Sequence, residues 1–286
     1  MTIIDDKAKM IRLANLCFVS CYKVILCSEF QRDVLLEEED SPLKEFYNFL
    51  NKSFILIEPG VNPRKWIHNC NRELSKLITD NINDESEWLV HLQLLKPLSS
   101  HISDFSESNK PLHGKSKGED RFFHKFMKIR WQNKKNLIAH LQKMKGDPKF
   151  LANFDLKKTL FEGYLKRITP VGRHLILFLW VIHKYLELKR VAKKTGKKVD
   201  PKNFPDLVPR IVFMGGLSRP GDKLILQFIK LVNHVSVVLE QDEDTNNMLR
   251  LIFLPNYTTS KEYLYICSLD VNDQLIVPGK QACSTQ

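Results

Sequence analysis

The chain closes on IVPGKQACSTQ, Ile276 to Gln286, a short stretch holding a glycine bend, small residues, a thiol and hydroxyls. Those are ingredients of an active-site loop, although residues at a chain end ordinarily form a plain tail. The expectation is that the sequence stops inside a site. Elsewhere the familiar nucleophile and phosphate patterns are missing. No G-x-S-x-G, H-E-x-x-H or G-x-x-x-x-G-K motif occurs, and GKSKG at Gly114–Gly118 lacks the preceding strand a phosphate loop needs. Six cysteines (Cys17, Cys21, Cys27, Cys70, Cys267 and Cys283) contain no C-x-x-C pair. Cys17 and Cys21 share a helix face, but no histidine motif completes a ligand set. Reduced thiols are therefore expected, with no metal site and no disulfide framework.

The formal net charge is +11 over 286 residues. Such a balance suits an anionic partner, and equally a lysine-rich solvated surface. The densest basic stretch, RFFHKFMKIRWQNKKNLIAHLQKMKG, interleaves aromatics with Lys125, Lys128, Arg130, Lys134 and Lys135. Helices of this kind bind nucleic acid, acidic membranes or acidic partners. The plainer reading is a solvated helix packed on a sheet, and a nucleic-acid partner is not expected. No window is apolar for the length of a membrane span. The acidic N-terminus does not resemble a secretory signal, so a cytoplasmic location is expected.

The elements that must position any site change character along the chain. Residues 1–58 read as helices, with an acidic turn at Glu37–Asp40 and a proline-started helix from Ser41. Pro59, Gly60 and Pro63 punctuate a connection and mark a boundary. Residues 59–157 then read as a crossover followed by helices, including NRELSKLI, ESEWLVHLQLL and a long basic helix ending at Gly146. From 158 to 286 strands and helices alternate: TLFEGYLKRI, RHLILFLWVIHKYLELKRVAKK, LVPRIVFMGG, DKLILQFIKLVNHV, LRLIFL. Alternation of this kind predicts an α/β class, with a helical N-terminal part leading into a partial Rossmann-like parallel sheet of three or four strands.

At GVNPRKWIHNC the chain resembles the α-glucan phosphorylases (glycogen, starch and maltodextrin phosphorylases), whose pattern is close to N-G-[IV]-T-P-R-R-W. IRLANLCFVS, LFEGYLKRI, VPRIVFMGGLSRPG and LRLIFLPNY are similar to four further motifs of that family, in the family's order. The resemblance implies part of a two-domain glycosyltransferase fold of GT-B type. It implies the phosphorolysis of α-1,4-glucan to glucose 1-phosphate, with pyridoxal 5'-phosphate held by a lysine. It covers the end of the family's N-terminal domain, the interdomain crossover and the first half of the C-terminal domain.

Carried over residue by residue, Lys166 and Arg167 match the family's basic pair for cofactor and substrate phosphate. Trp66 and Tyr257 match residues lining the cofactor pocket, Thr285 a threonine near the cofactor phosphate, and Gln281 a sugar-contacting glutamate. Several polar positions depart. A second phosphate-binding lysine falls on Gly172, a histidine on Thr169, an asparagine on Pro59 and an arginine on Thr258. The family's cofactor lysine would lie beyond Gln286, so no cofactor is expected. The resemblance thus implies a truncated, catalytically inactive homologue. Its expected partners are an α-glucan or another phosphorylase chain, with a subunit that complements a partner chain as the alternative.

Overall fold

The computed structural model describes residues 3–5, 9–37, 44, 47–48, 54–57, 62–82, 87–101, 119–169 and 172–275. Several sequence features lie outside the described residues. These are the acidic turn beyond Glu37, most of the Ser41 segment, the Pro59–Gly60 turn, the loop holding GKSKG, Pro170, and the terminal stretch with Gln281 and Thr285. The chain divides into two compact units, one of Met1–Val61 with Ile276–Thr285 and one of Asn62–Leu275.

In the first unit, β1 (Ile4–Asp5) pairs antiparallel with β2 (Met10–Ile11), and α1 follows at Leu13–Ser20. The all-helical expectation for this region is corrected by β3 (Val24–Leu26), which pairs in parallel with β4 (Phe54–Leu56) around α2 (Glu29–Glu37). Each strand is three residues long, too short to show a period of two, and an apolar run of that length is indistinguishable from a helical face by pattern alone.

The second unit opens with one π-helical turn, Arg64–Asn69, followed by α3 (Arg72–Ile82). The expected amphipathic helix at ESEWLVHLQLL is instead two 3-10 segments, Glu87–Leu89 and Leu92–His101. Pro97, which has no N–H to donate, lies inside the second. The long basic helix is α4, Glu119–Lys145.

The α/β expectation is met by β5 (Leu160–Leu165), α5 (His174–Thr195), β6 (Arg210–Gly215), α6 (Lys223–Gln241), β7 (Leu249–Leu254), α7 (Thr259–Ser268) and β8 (Val271–Asn272). The strands form one sheet in the order β7-β6-β5-β8, all neighbours parallel. Alternate residues bury opposite faces. Phe161, Leu165, Ile211, Phe213, Ile252 and Leu254 pack with Leu137 and Leu141 of α4. Tyr164, Val212, Met214, Leu249 and Leu251 pack with α5 and α6 through Leu177, Phe178, Val181, Val232 and Leu239. Helices therefore cover both sides of a mixed α/β fold with a parallel, Rossmann-like sheet.

The helix ends are set locally. Asp222 caps α6, accepting a hydrogen bond from the Ile225 amide at 3.2 Å. Gly196 ends α5 in the left-handed region, φ 66°. By length and composition α6 alone among the described residues could cross a membrane, contrary to the expectation that no window would. In the structure it lies on the sheet through Val232 and Leu239.

Candidate functional site

In the β7-β6-β5-β8 order, β6 and β7 extend the sheet to one side of β5, and the chain then returns to place β8 on the other. Ligands of open α/β sheets bind at such reversals of strand order, at the carboxyl ends of the strands. Lys166 and Arg167 leave β5 at this point. The half-buried Lys166 ammonium donates to Gln274 Oε1, just beyond β8, at 3.4 Å. Arg167 is exposed, and its carbonyl accepts from the buried Tyr164 hydroxyl at 3.3 Å.

The Lys166 backbone is held by its neighbour strand. A Cβ on Gly216 would stand 1.6 Å from the Lys166 carbonyl oxygen, so that position admits only glycine. One step on, the Ile168 amide donates to the Leu217 carbonyl at 2.9 Å, extending the β5–β6 ladder into the loops. Arg167, Ile168 and Thr169 face Leu217, Ser218, Arg219 and Asp222 across a cavity of about 470 Å³.

Tyr257 follows β7 and is 8% exposed; its hydroxyl donates to the Leu165 carbonyl at 3.4 Å. Burial first, then the neighbouring Glu262, pushes this phenol far above its usual range, so it stays protonated. Tyr257 thus reaches the residue preceding Lys166 as a structural donor. Trp66 is placed differently. Its ring meets Tyr263 of α7 edge-on at 5.9 Å, with the Lys65 ammonium 4.5 Å from its centroid. Tyr257 packs on the same helix through Tyr265. Lys166, Arg167 and Tyr257 therefore converge on the end of β5, and Trp66 joins α7.

Two residues of this edge escaped the motif reading. His174, the first residue of α5, is 4% exposed and sits between the rings of Tyr164 and Phe228 at 6.0 and 4.5 Å. Burial lowers its pKa, and its Nδ1 has no hydrogen-bond partner among the described residues. The other is Arg219. By the resemblance, GGLSRPG differs from a family pattern close to G-[GA]-K-A-A-P-G, with Leu217 where a lysine stands and a cation two positions later at Arg219. The swap is visible in the sequence as a cation moved from 217 to 219. At β8, Asn272 Oδ1 and Asp273 Oδ2 are likewise buried without partners among the described residues. Burial, then Glu162, pushes the Asp273 carboxyl up to about 6.

The basic helix also differs from its sequence reading. Lys134 is buried, donating to the Thr159 carbonyl at 2.7 Å and pairing with Asp270 at 2.6 Å. Arg130 pairs with the same carboxylate, whose other hydrogen bond comes from the Phe161 amide at 2.8 Å. Two of its five named cations therefore tie α4 to the sheet.

The carbohydrate phosphorylase family matches residues 1–286. The chain is 32% identical over 281 residues to a glycogen phosphorylase of Chlamydia pneumoniae, covering 97% of this chain and 29% of that protein. It is 30% identical over 286 residues to glycogen phosphorylase 2 of Dictyostelium discoideum, covering 100% of this chain and 25% of the relative. With the muscle-form glycogen phosphorylase of Bos taurus it shares 28% over 286 residues, 100% of this chain and 30% of the relative. The chain spans less than a third of the length of these relatives. With every residue inside the matched region and the parallel sheet in place, this chain belongs to the carbohydrate phosphorylase family.

Proposed function

We propose that this chain is a divergent glycogen or α-glucan phosphorylase homologue that does not catalyse phosphorolysis. The observation behind this reading is the packing at Gly172. By the family resemblance this position would carry a second phosphate-binding lysine. Here a Cβ would meet His174 Nδ1 at 2.9 Å and the Thr169 carbonyl at 3.2 Å. The imidazole is wedged between two rings and has little room to withdraw, so the loop is built around the absence of a side chain. Cations aimed at a transferring phosphate commonly contribute orders of magnitude in rate, because they stabilise charge without reorganising. By the resemblance, this cleft lacks that cation at 172.

When bound in the family, pyridoxal phosphate supplies a phosphate that works with the substrate phosphate in general acid catalysis. The absence of that group from this chain is part of the reading, supported by the contacts of the two matched pocket residues: the Tyr257 hydroxyl donates to the Leu165 carbonyl, and Trp66 meets Lys65 and Tyr263. The reading includes a cytoplasmic location and a place within a GT-B-type fold, with segments at 1–58, 59–157 and 158–286. What it leaves to the protein is binding, of a glucan or of another chain.

The test uses the purified chain with glycogen, inorganic phosphate and added pyridoxal phosphate. No glucose 1-phosphate above blank, and no aldimine absorbance band, are expected. Release of glucose 1-phosphate that depends on the added cofactor would refute the reading.

A second reading, a subunit that complements a partner phosphorylase chain, is favoured by the outer faces of α5 and α6. Leu175, Ile176 and Leu179 on α5 and Leu224, Leu226 and Leu231 on α6 are 47–63% exposed. Exposed apolar surface of this kind suits a covering partner. Activity that appears only on mixing with a phosphorylase chain would support this reading, and a mixture no more active than its parts would dismiss it.

A further inference from the structure

All four strands of the sheet are parallel, so the edge opposite Lys166 gathers the strand beginnings. There a cavity of about 650 Å³ opens between α4, the segment before β5 and the segment before β6. Its apolar wall is Met127, Leu156, Leu160 and Val208. Val208 is 55% exposed, although it shortly precedes a strand that is buried from Ile211 to Gly215. The polar side of the cavity carries five cations and one carboxylate, Asp270.

That carboxylate is already committed. Asp270 accepts from Arg130, from Lys134 and from the Phe161 amide, and its side chain is 6% exposed. The remaining cations, Lys128, Lys157 and Lys158, therefore face the cavity without a countercharge in its lining. Lys157 rests 4.6 Å from the Trp131 ring centroid, and Lys128 and Lys158 are exposed with no ion pair among the described residues. A pocket of this volume matches a small organic ligand. An apolar wall opposite unpaired ammonium groups asks for an anionic head on an apolar body, since the wall repays burial of the body and the cations repay desolvation of the head.

We propose that this cavity binds a small organic anion, an aryl or acyl phosphate or carboxylate, with its charged group toward Lys128 and Lys158 and its apolar part against Val208 and Leu160. The site lies at the opposite sheet edge from Lys166 and is independent of whether the chain catalyses phosphorolysis.

The test is calorimetric titration of the full chain with 1-naphthyl phosphate at low ionic strength, beside inorganic phosphate and 1-naphthol. Naphthyl phosphate should bind at least tenfold more tightly than either control. Joint Lys128→Glu and Lys158→Glu reversal should weaken it at least tenfold, and physiological salt should weaken it too, by screening exposed charges. Val208→Asp is an independent variant that removes apolar wall and adds negative charge at an exposed position. It should cause a similar loss, with the thermal melt unchanged. Absence of binding overturns the proposal, as does binding matched by phosphate alone or by naphthol. Binding indifferent to both sets of substitutions also overturns it.

Discussion

Substituting Gly216 by alanine tests how the sheet fixes Lys166. The added Cβ would lie 1.6 Å from the Lys166 carbonyl oxygen and 2.7 Å from its carbon. Contact at that approach requires roughly twice the distance, so the backbone itself must yield. What yields is the last rung of the β5–β6 ladder, where Leu165 pairs with Gly215 and the Ile168 amide reaches Leu217. Losing one or two backbone hydrogen bonds costs about 1 kcal/mol each. Shifting the buried Leu165 and Leu254 adds about 1–3 kcal/mol of misfit. The expected loss is therefore about 2–5 kcal/mol, or about 4–20 °C in melting temperature for a unit of this size. Gly196→Ala is the matched control. It has φ +66° and nothing within 4 Å of a built Cβ, so it pays only local backbone strain, about 1 kcal/mol. Urea melts of both variants beside the parent would read the difference. If Gly216→Ala is no more destabilising than Gly196→Ala, the close approach to Lys166 does not hold the loop.

Asp270→Ala should destabilise by about 3–5 kcal/mol, because it leaves the Lys134 ammonium buried without a counterion. A Lys134→Met, Asp270→Leu double variant should recover most of that loss in the same urea melt, and failure to recover would assign the cost to packing. Asp273 has a folded pKa raised to about 6, above its unfolded value, so its contribution is fully present below about pH 4 and is lost as pH rises through 6. Asp273→Asn should accordingly raise the melting temperature at pH 7.5 and leave it unchanged near pH 4; equal shifts at both pH values would contradict this. Burial pushes the Cys70 and Cys267 thiols up to about 11 and about 12. Alkylation followed by peptide mass mapping at pH 7.5 should therefore label the exposed Cys17 and Cys21 well before either.

The sheet of the second unit was legible because its strands are six-residue apolar runs bounded by glycine, proline or asparagine, as in RIVFMG and LRLIFL. Two of its helices, α4 and α5, were legible for a similar reason, ending at Gly146 and Gly196, both in the left-handed region. β8 could not be read, since Val271–Asn272 becomes a strand only through its pairing with Glu162 and Gly163. The same holds for β3 and β4. At the candidate site, Lys166 and Arg167 stand at the strand end their motif suggested. Trp66 and Tyr257, matched by the resemblance to residues lining a cofactor pocket, make contacts that no local pattern announces, with Tyr263 and Lys65 and with the Leu165 carbonyl. Lys134 is the sharpest case. In the string NKK nothing distinguishes the lysine that is buried from the one that stays in water, because the difference is made by a carboxylate more than a hundred positions away.

That separation sets an order of events. Arg130 and Asp270 are 140 positions apart, so during synthesis α4 exists long before its counter-charge does. Until then, docking α4 on β5 would bury an ammonium with no partner, at a cost of several kcal/mol. The three strands β5, β6 and β7, with α5 and α6 on their other face, carry no such obstacle and can assemble first. Lys134 gains its counter-charge only when Asp270 stands beside Phe161, so one carboxylate near the end of the second unit completes the seat of a helix near its start.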